Sequence, residues 1–178
     1  MKPCKFRALA LLVTASALLG AGGAYAATTV VTASIKFLSD VTISALSPQP
    51  SFGNVKALTV GTYVLSTAGT VTPSGGGVLE GGSPHAGSTT ITASAGNAIN
   101  IFASGYTNGV TDATVPSAAT CNYNGAGEVP CGTAGTPMAI AAPVASATML
   151  VGLTVLTTVT ATSGTTDNPS FTLNVVYQ

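Results

Sequence analysis

Few residues in this chain have side chains suited to chemistry. The lone histidine, His85, sits in the stretch Gly82-Ser83-Pro84-His85-Ala86-Gly87, with a hydroxyl two residues before it. A serine beside an imidazole is the start of an acyl-transfer site. Such a site also needs a strained Gly-x-Ser-x-Gly elbow and a carboxylate that orients the imidazole, and the residues around Ser83 spell neither. The carboxylates Asp40, Glu80, Asp112, Glu128 and Asp167 are scattered singly. They offer neither the close acid pair of a glycosidase nor the alternating Asp/Asn ligands of a calcium loop. The tract Gly75-Gly76-Gly77 lacks the Lys and Ser/Thr of a phosphate-binding loop and reads as a turn. The expectation is a protein without catalytic residues, cofactor or metal.

The cysteines have to be read together with the N-terminus. Lys2, Lys5 and Arg7 precede an uncharged apolar run from Ala8 to Leu19, and small residues lead to Ala24-Tyr25-Ala26. This is the pattern of a secretory signal peptide over residues 1–26, with cleavage between Ala26 and Ala27. Its apolar run is too short for a permanent membrane anchor, and no cysteine follows to accept a lipid. Export to the periplasm, the cell surface or the medium is expected. Cys4 leaves with the signal, while Cys121 and Cys131 remain in the segment CNYNGAGEVPC. In an oxidising compartment these two are expected to form a disulfide, and they lack the C-x-x-C spacing of a redox or zinc pair.

Removal of 26 of the 178 residues leaves 152, residues 27–178, a size suited to a single domain. Lys36 and Lys56 then stand against the five carboxylates, so the mature charge is 2 − 5, or −3. So few basic groups cannot make a nucleic-acid footprint. A surface of Thr, Ser, Gly and Ala with so little charge resists self-association poorly, which suits a protein that assembles.

The elements that would position these residues are strands. β-branched residues recur in short runs separated by turn residues, and no segment holds a 3.6-residue apolar repeat. Runs are expected at 31–37, 41–43, 58–65, 69–71, 78–79, 89–93, 97–103, 138–140, 149–160 and 171–177, with Gly105–Gly135 as the longest irregular region. Many short strands at this spacing predict an all-β fold, an antiparallel immunoglobulin-like or pilin-like β-sandwich. Residues 138–161 are uncharged, but Pro143 and the later Val/Thr content argue for strands over a membrane helix. Without Tyr25 and Phe6 the chain keeps four Tyr and four Phe, and it has no Trp, too few for the girdles of a membrane barrel.

Both ends of the mature chain carry a period of two. Val31, Ala33, Ile35 and Phe37 alternate with polar residues, as do Phe171, Leu173, Val175 and Tyr177 in the closing strand. The first set is a candidate assembly strand that leaves its own domain to complete a neighbour's sheet. An alternating final strand with a penultimate tyrosine is similar to the ends of chaperone-assembled pilins.

Ser51-Phe52-Gly53-Asn54-Val55, Val71-Thr72-Pro73-Ser74-Gly75-Gly76-Gly77, Ser88-Thr89-Thr90-Ile91-Thr92-Ala93, Leu150-Val151-Gly152-Leu153-Thr154-Val155 and the closing Phe171–Gln178 run resemble the secreted Gram-negative family known as domain of unknown function 4402. The resemblance implies a pilin- or adhesin-type sandwich and export, and carries no activity. The expected function is a structural subunit of a surface filament or fimbria-like assembly. Its partners would be other copies or related filament subunits and a periplasmic chaperone. The alternative is a monomeric secreted or periplasmic module that recognises a carbohydrate or protein through its loops, above all the region Gly105–Gly135.

Overall fold

The computed structural model describes residues 33–111 and 113–178. The segment 1–26 expected as a signal peptide, its expected cleavage junction Ala26–Ala27 and Val31 lie outside the described residues. Phe37–Gln178 form one compact unit. The described residues contain thirteen strands and no helix: β1 (Thr42–Ile43), β2 (Asn54–Val55), β3 (Gly61–Leu65), β4 (Val71–Ser74), β5 (Leu79–Gly81), β6 (Gly87–Thr92), β7 (Ile99–Thr107), β8 (Thr114–Tyr123), β9 (Val129–Pro130), β10 (Gly132–Thr133), β11 (Thr136–Ile140), β12 (Ser146–Thr157) and β13 (Ser170–Tyr177).

The strands form an antiparallel sandwich. The larger sheet is built on β12, whose one edge pairs with β8 along Met149–Thr157. Its other edge is shared, with β6 on Ser146–Val151 and β3 on Leu153–Thr157. β1 and β4 extend these two branches, and β9 pairs with β8. The facing sheet runs β10-β11-β7-β13, and β2 and β5 form a small ladder apart.

β12 shows why these residues make strands. Ala147, Met149, Val151, Leu153, Val155 and Thr157 are buried, while Thr148, Leu150, Thr154 and Leu156 between them are less buried, as a period of two requires, and Gly152 alone interrupts the alternation. Across the sandwich, Ile99, Ile101 and Ala103 of β7 close the core against Tyr63, Leu65 and Ile91. Each such fully buried large side chain contributes about 1.5–3 kcal/mol by leaving water. Thr157, buried at the end of β12, donates its hydroxyl proton to Thr59 O at 2.7 Å. The uncharged run 138–161 is therefore two strands, β11 and β12, joined at Pro143 and its neighbours, and no helix of the described residues is long and apolar enough to cross a membrane.

Two expectations need correction. Of the run 31–37, read as a strand, the described residues 33–37 have no sheet partner among the described residues and are exposed. Gly105–Gly135, read as irregular, contains the ten-residue β8 on the central strand. The period of two in β8 is broken by a bulge: Thr154 pairs with Ala118 and Val155 with Pro116, so exposed Ser117 is an extra residue that shifts the alternation.

Candidate assembly groove

The groove is built from the two sheet edges that face each other along one side of the sandwich. One edge is the segment 42–51. After β1, Ser44 N–H donates to Thr90 O at 2.9 Å, Ser47 N–H to Ser88 O at 2.7 Å and Ser51 N–H to His85 O at 2.8 Å, so the chain follows β6 without regular pairing. Gly87 permits this closeness. A side chain there would put its Cβ 2.6 Å from Leu46 Cδ2 and 3.0 Å from Pro50 Cδ.

The opposite edge is β13, which among the described residues pairs with β7 on one side only. Its inward residues show the consequence. Tyr177, Val175 and Leu173 lie directly beside Ile99, Ile101 and Ala103 of β7, yet the β7 residues are buried and those of β13 only half-buried. Leu46, Gln49 and Pro50 on one wall and Pro169, Ser170, Phe171 and Leu173 on the other enclose a pocket of about 110 Å³ with Leu153 of β12 at its base. Pro50, Leu153 and Pro169 also line a larger cavity of about 610 Å³, which extends under residues 50–57 and 161–169 to Tyr63, Val155 and Thr157. Core residues of β12 are thus reached from the surface here.

The far end of this side is closed by hydrogen bonds. Tyr177 Oη accepts from Ser94 N–H at 2.6 Å and donates to Ser39 O at 2.9 Å, while Ser39 N–H donates to Ser94 Oγ at 2.8 Å. The two donors from Ser94, foremost its backbone N–H, hold the Tyr177 phenol below its ordinary range. Ser39 is thereby fixed at the end of β13, and the residues before it expose Ile35 (80%) and Phe37 (88%) to solvent.

Of the chemistry-bearing residues, Glu80 and Asp167 line the same larger cavity with Lys56, while His85 and Glu128 lie outside its lining. His85 is exposed, with Nδ1 2.9 Å from Ser83 O, and its backbone bridges Ser51. Glu128 accepts from Thr67 N–H at 2.5 Å and Thr67 Oγ1 at 2.7 Å, tying the β8–β9 hairpin to the β3–β4 turn. Asp167, in the cavity wall, accepts from Thr111 N–H at 3.1 Å and from the Thr114 hydroxyl at 2.8 Å. Its slight burial raises the carboxyl, but these donors outweigh that effect and hold it below 3.8. Among the described residues no three of His, Cys, Asp and Glu come together as a metal site would need.

Cys121 and Cys131 form a disulfide, both fully buried, with their Cα atoms 4.9 Å apart. Of the residues singled out at the two ends, Phe171, Leu173, Val175 and Tyr177 lie in β13 facing inward, and Ala33, Ile35 and Phe37 lie outside any sheet. Leu46, Pro50 and Leu153, which complete the groove, carry no local signal of that role, because only the apposition of two edges gives it to them. Gly164–Pro169 is rich in turn residues, which marks a loop but not a cavity wall. Comparison with family models, curated proteins and solved structures finds no match for the chain.

Proposed function

We propose that this protein is an exported structural subunit of a surface filament or fimbria-like assembly, a non-enzymatic protein whose copies associate after removal of residues 1–26. The observation that carries this reading is the exposed apolar alternation of Ile35 and Phe37 on a chain whose final strand has one edge unpaired among the described residues. A long unpaired edge beside apolar surface is an invitation to strand addition. The mature charge of −3 gives copies little mutual repulsion, and the resemblance to the family of unknown function 4402 supports export and a pilin-type sandwich. Related filament subunits and a periplasmic chaperone are the partners such a subunit requires, since an exposed edge must be covered until assembly.

The test is electrophoresis of material sheared from intact producing cells, probed with an antibody to residues 27–178, with and without boiling in detergent. The expected result is a ladder that collapses to one mature-sized band on boiling. A monomer found only in periplasm or medium removes the filament reading.

One observation favours a second reading, a monomeric binding module. The 610 Å³ cavity has the volume of a small-ligand site and offers Asn54, Lys56, Glu80 and Asn168 among its walls. A carbohydrate or short peptide is the class of ligand this mixture suits, and the loops concerned are chiefly 50–57 and 161–169, with only Ala113 and Thr114 from Gly105–Gly135. A glycan array probed with the purified mature chain separates this reading from the first by giving discrete hits on a monomer.

A further inference from the structure

We infer that the end of the sandwich opposite Ser39 and Tyr177 docks on a lipid bilayer, with Leu58, Val60, Val78, Val110 and Val159 entering the boundary between headgroups and acyl chains. The inference depends on neither reading above.

The apolar exposure of the sandwich is concentrated at this end. Outside residues 35–38, the three most exposed apolar side chains are Val110 (88%), Leu58 (67%) and Val159 (62%), and Val60 and Val78 are exposed as well. They stand on four loops: 56–60 before β3, 75–78 before β5, 108–113 before β8 and 158–169 after β12. Backbone hydrogen bonds lace these loops together. Leu58 N–H donates to Ala161 O at 2.8 Å, Thr158 N–H to Ala113 O at 2.9 Å and Lys56 N–H to Val78 O at 3.0 Å. The five side chains are thus held on one rim rather than scattered over the surface.

Leu58 adds a second, independent observation. Its φ is +54°, a left-handed backbone that a bulky non-glycine residue seldom adopts. The hydrogen bond to Ala161 fixes the loop there, and the result is a strained residue whose apolar side chain faces solvent. The fold gains nothing from this choice, since a solvated leucine buries little and Asn or Gly would take the same φ more easily. Strain kept at an exposed apolar residue points to a contact outside the chain.

The chemistry of the rim selects the partner. Residues 57–60 (Ala-Leu-Thr-Val) and 158–163 (Thr-Val-Thr-Ala-Thr-Ser) are uncharged, and Lys56, Glu80 and Asp112 each lie two residues from Leu58, Val78 and Val110 respectively. With no excess of positive charge, the contact relies on apolar insertion and not on attraction to anionic headgroups. Five aliphatic residues on separate loops fall far short of the roughly 20–30 residues a side of a stable protein interface. None of the five is an aromatic or arginine anchor of the kind that dominates such interfaces. A second copy or a folded partner therefore finds too little surface here. A bilayer needs no complementary shape and no hydrogen-bonding partner, only apolar groups that leave water.

The experiment floats the protein purified from producing cells through a density gradient with phosphatidylcholine vesicles and, in parallel, with phosphatidylglycerol vesicles. The inference expects flotation with both, unchanged by added salt, since apolar insertion is not screened. Protein that stays at the bottom with both overturns it, and so does flotation confined to the anionic vesicles and abolished by salt. Leu58→Asp with Val159→Asp, and Val110→Asp alone, should weaken partitioning about tenfold or more. Native partitioning in these variants overturns the rim as the site. Loss of partitioning in Ile35→Asp with Phe37→Asp assigns the membrane contact to residues 33–38 and overturns it too. Leu58→Asn separates binding from folding: it relieves the left-handed strain, so its melting temperature should match or exceed the native one while its partitioning falls. A lower melting temperature, or native partitioning, counts against the role given to Leu58. Finally, an environment-sensitive fluorophore on Val110→Cys should shift to the blue on addition of vesicles. The same label on Thr92→Cys, which pairs with the other end of β12 at Ser146, should not. Equal responses at the two positions overturn the inference.

Discussion

Asp167 shows how a single carboxylate can hold a cavity wall in place. It accepts hydrogen bonds from Thr111 N–H and Thr114 Oγ1 and so ties the loop 161–169 to the start of β8. Its folded pKa lies below the ordinary 3.8, so its contribution to stability is present above the unfolded value and is lost as pH falls through the folded one. Asp167→Asn should therefore lower the melting temperature at neutral pH, and that difference should shrink as the pH falls from the ordinary carboxylate range through the lower folded pKa. A Tm difference that stays constant across the acid range would remove the argument. Gly152 is a second residue with a definite role. It sits where β6 and β3 part along β12, and a Cβ there would collide with Leu65 O and come within 2.5 Å of Thr120 Oγ1. Gly152→Ala is expected to destabilise the fold by about 1–3 kcal/mol through overpacking against backbone, measured by urea unfolding.

At the scale of elements, β8 carries the clearest lesson. Its inward residues are Pro116, Ala119, Cys121 and Tyr123, small or unusual for a core strand, and the extra residue Ser117 breaks their spacing. A strand with a bulge and few large apolar residues reads as a loop, and it becomes a strand because the long central β12 offers it an edge to pair with. The disulfide from Cys121 then fixes the excursion 124–130 to the core. Reduction, or the double change Cys121→Ala and Cys131→Ala, should cost about 2–3 kcal/mol by freeing a short loop in the unfolded chain. Unfolding curves with and without reductant should converge for the double variant and differ for the native protein. β13 was legible at the outset because it keeps a strict alternation and its turn, Gly164–Pro169, is marked by residue type. Its position at a sheet edge was not, since alternation says which face is apolar and nothing about how many neighbours a strand has.

For the whole molecule, the sequence makes one prediction that the sandwich does not touch. On the signal-peptide reading the mature chain begins at Ala27, and Edman degradation or intact mass of the purified protein should return that residue; a mature form that retains Lys2–Arg7 would exclude the reading. The all-β class, the main strands and the Cys121–Cys131 pair were determined by the sequence itself, because β-branched content, a period of two and the close spacing of two cysteines are local properties. Which strand became central, where the two sheets leave an uncovered side, and the meeting of Leu46, Pro50, Leu153, Phe171 and Leu173 around one pocket were decided by tertiary structure alone. Those residues are far apart along the chain, and a groove is defined by edges that lack a neighbour. The physical reason is that propensity and periodicity act within a strand, whereas pairing order and burial are settled only when all the strands compete for the same core.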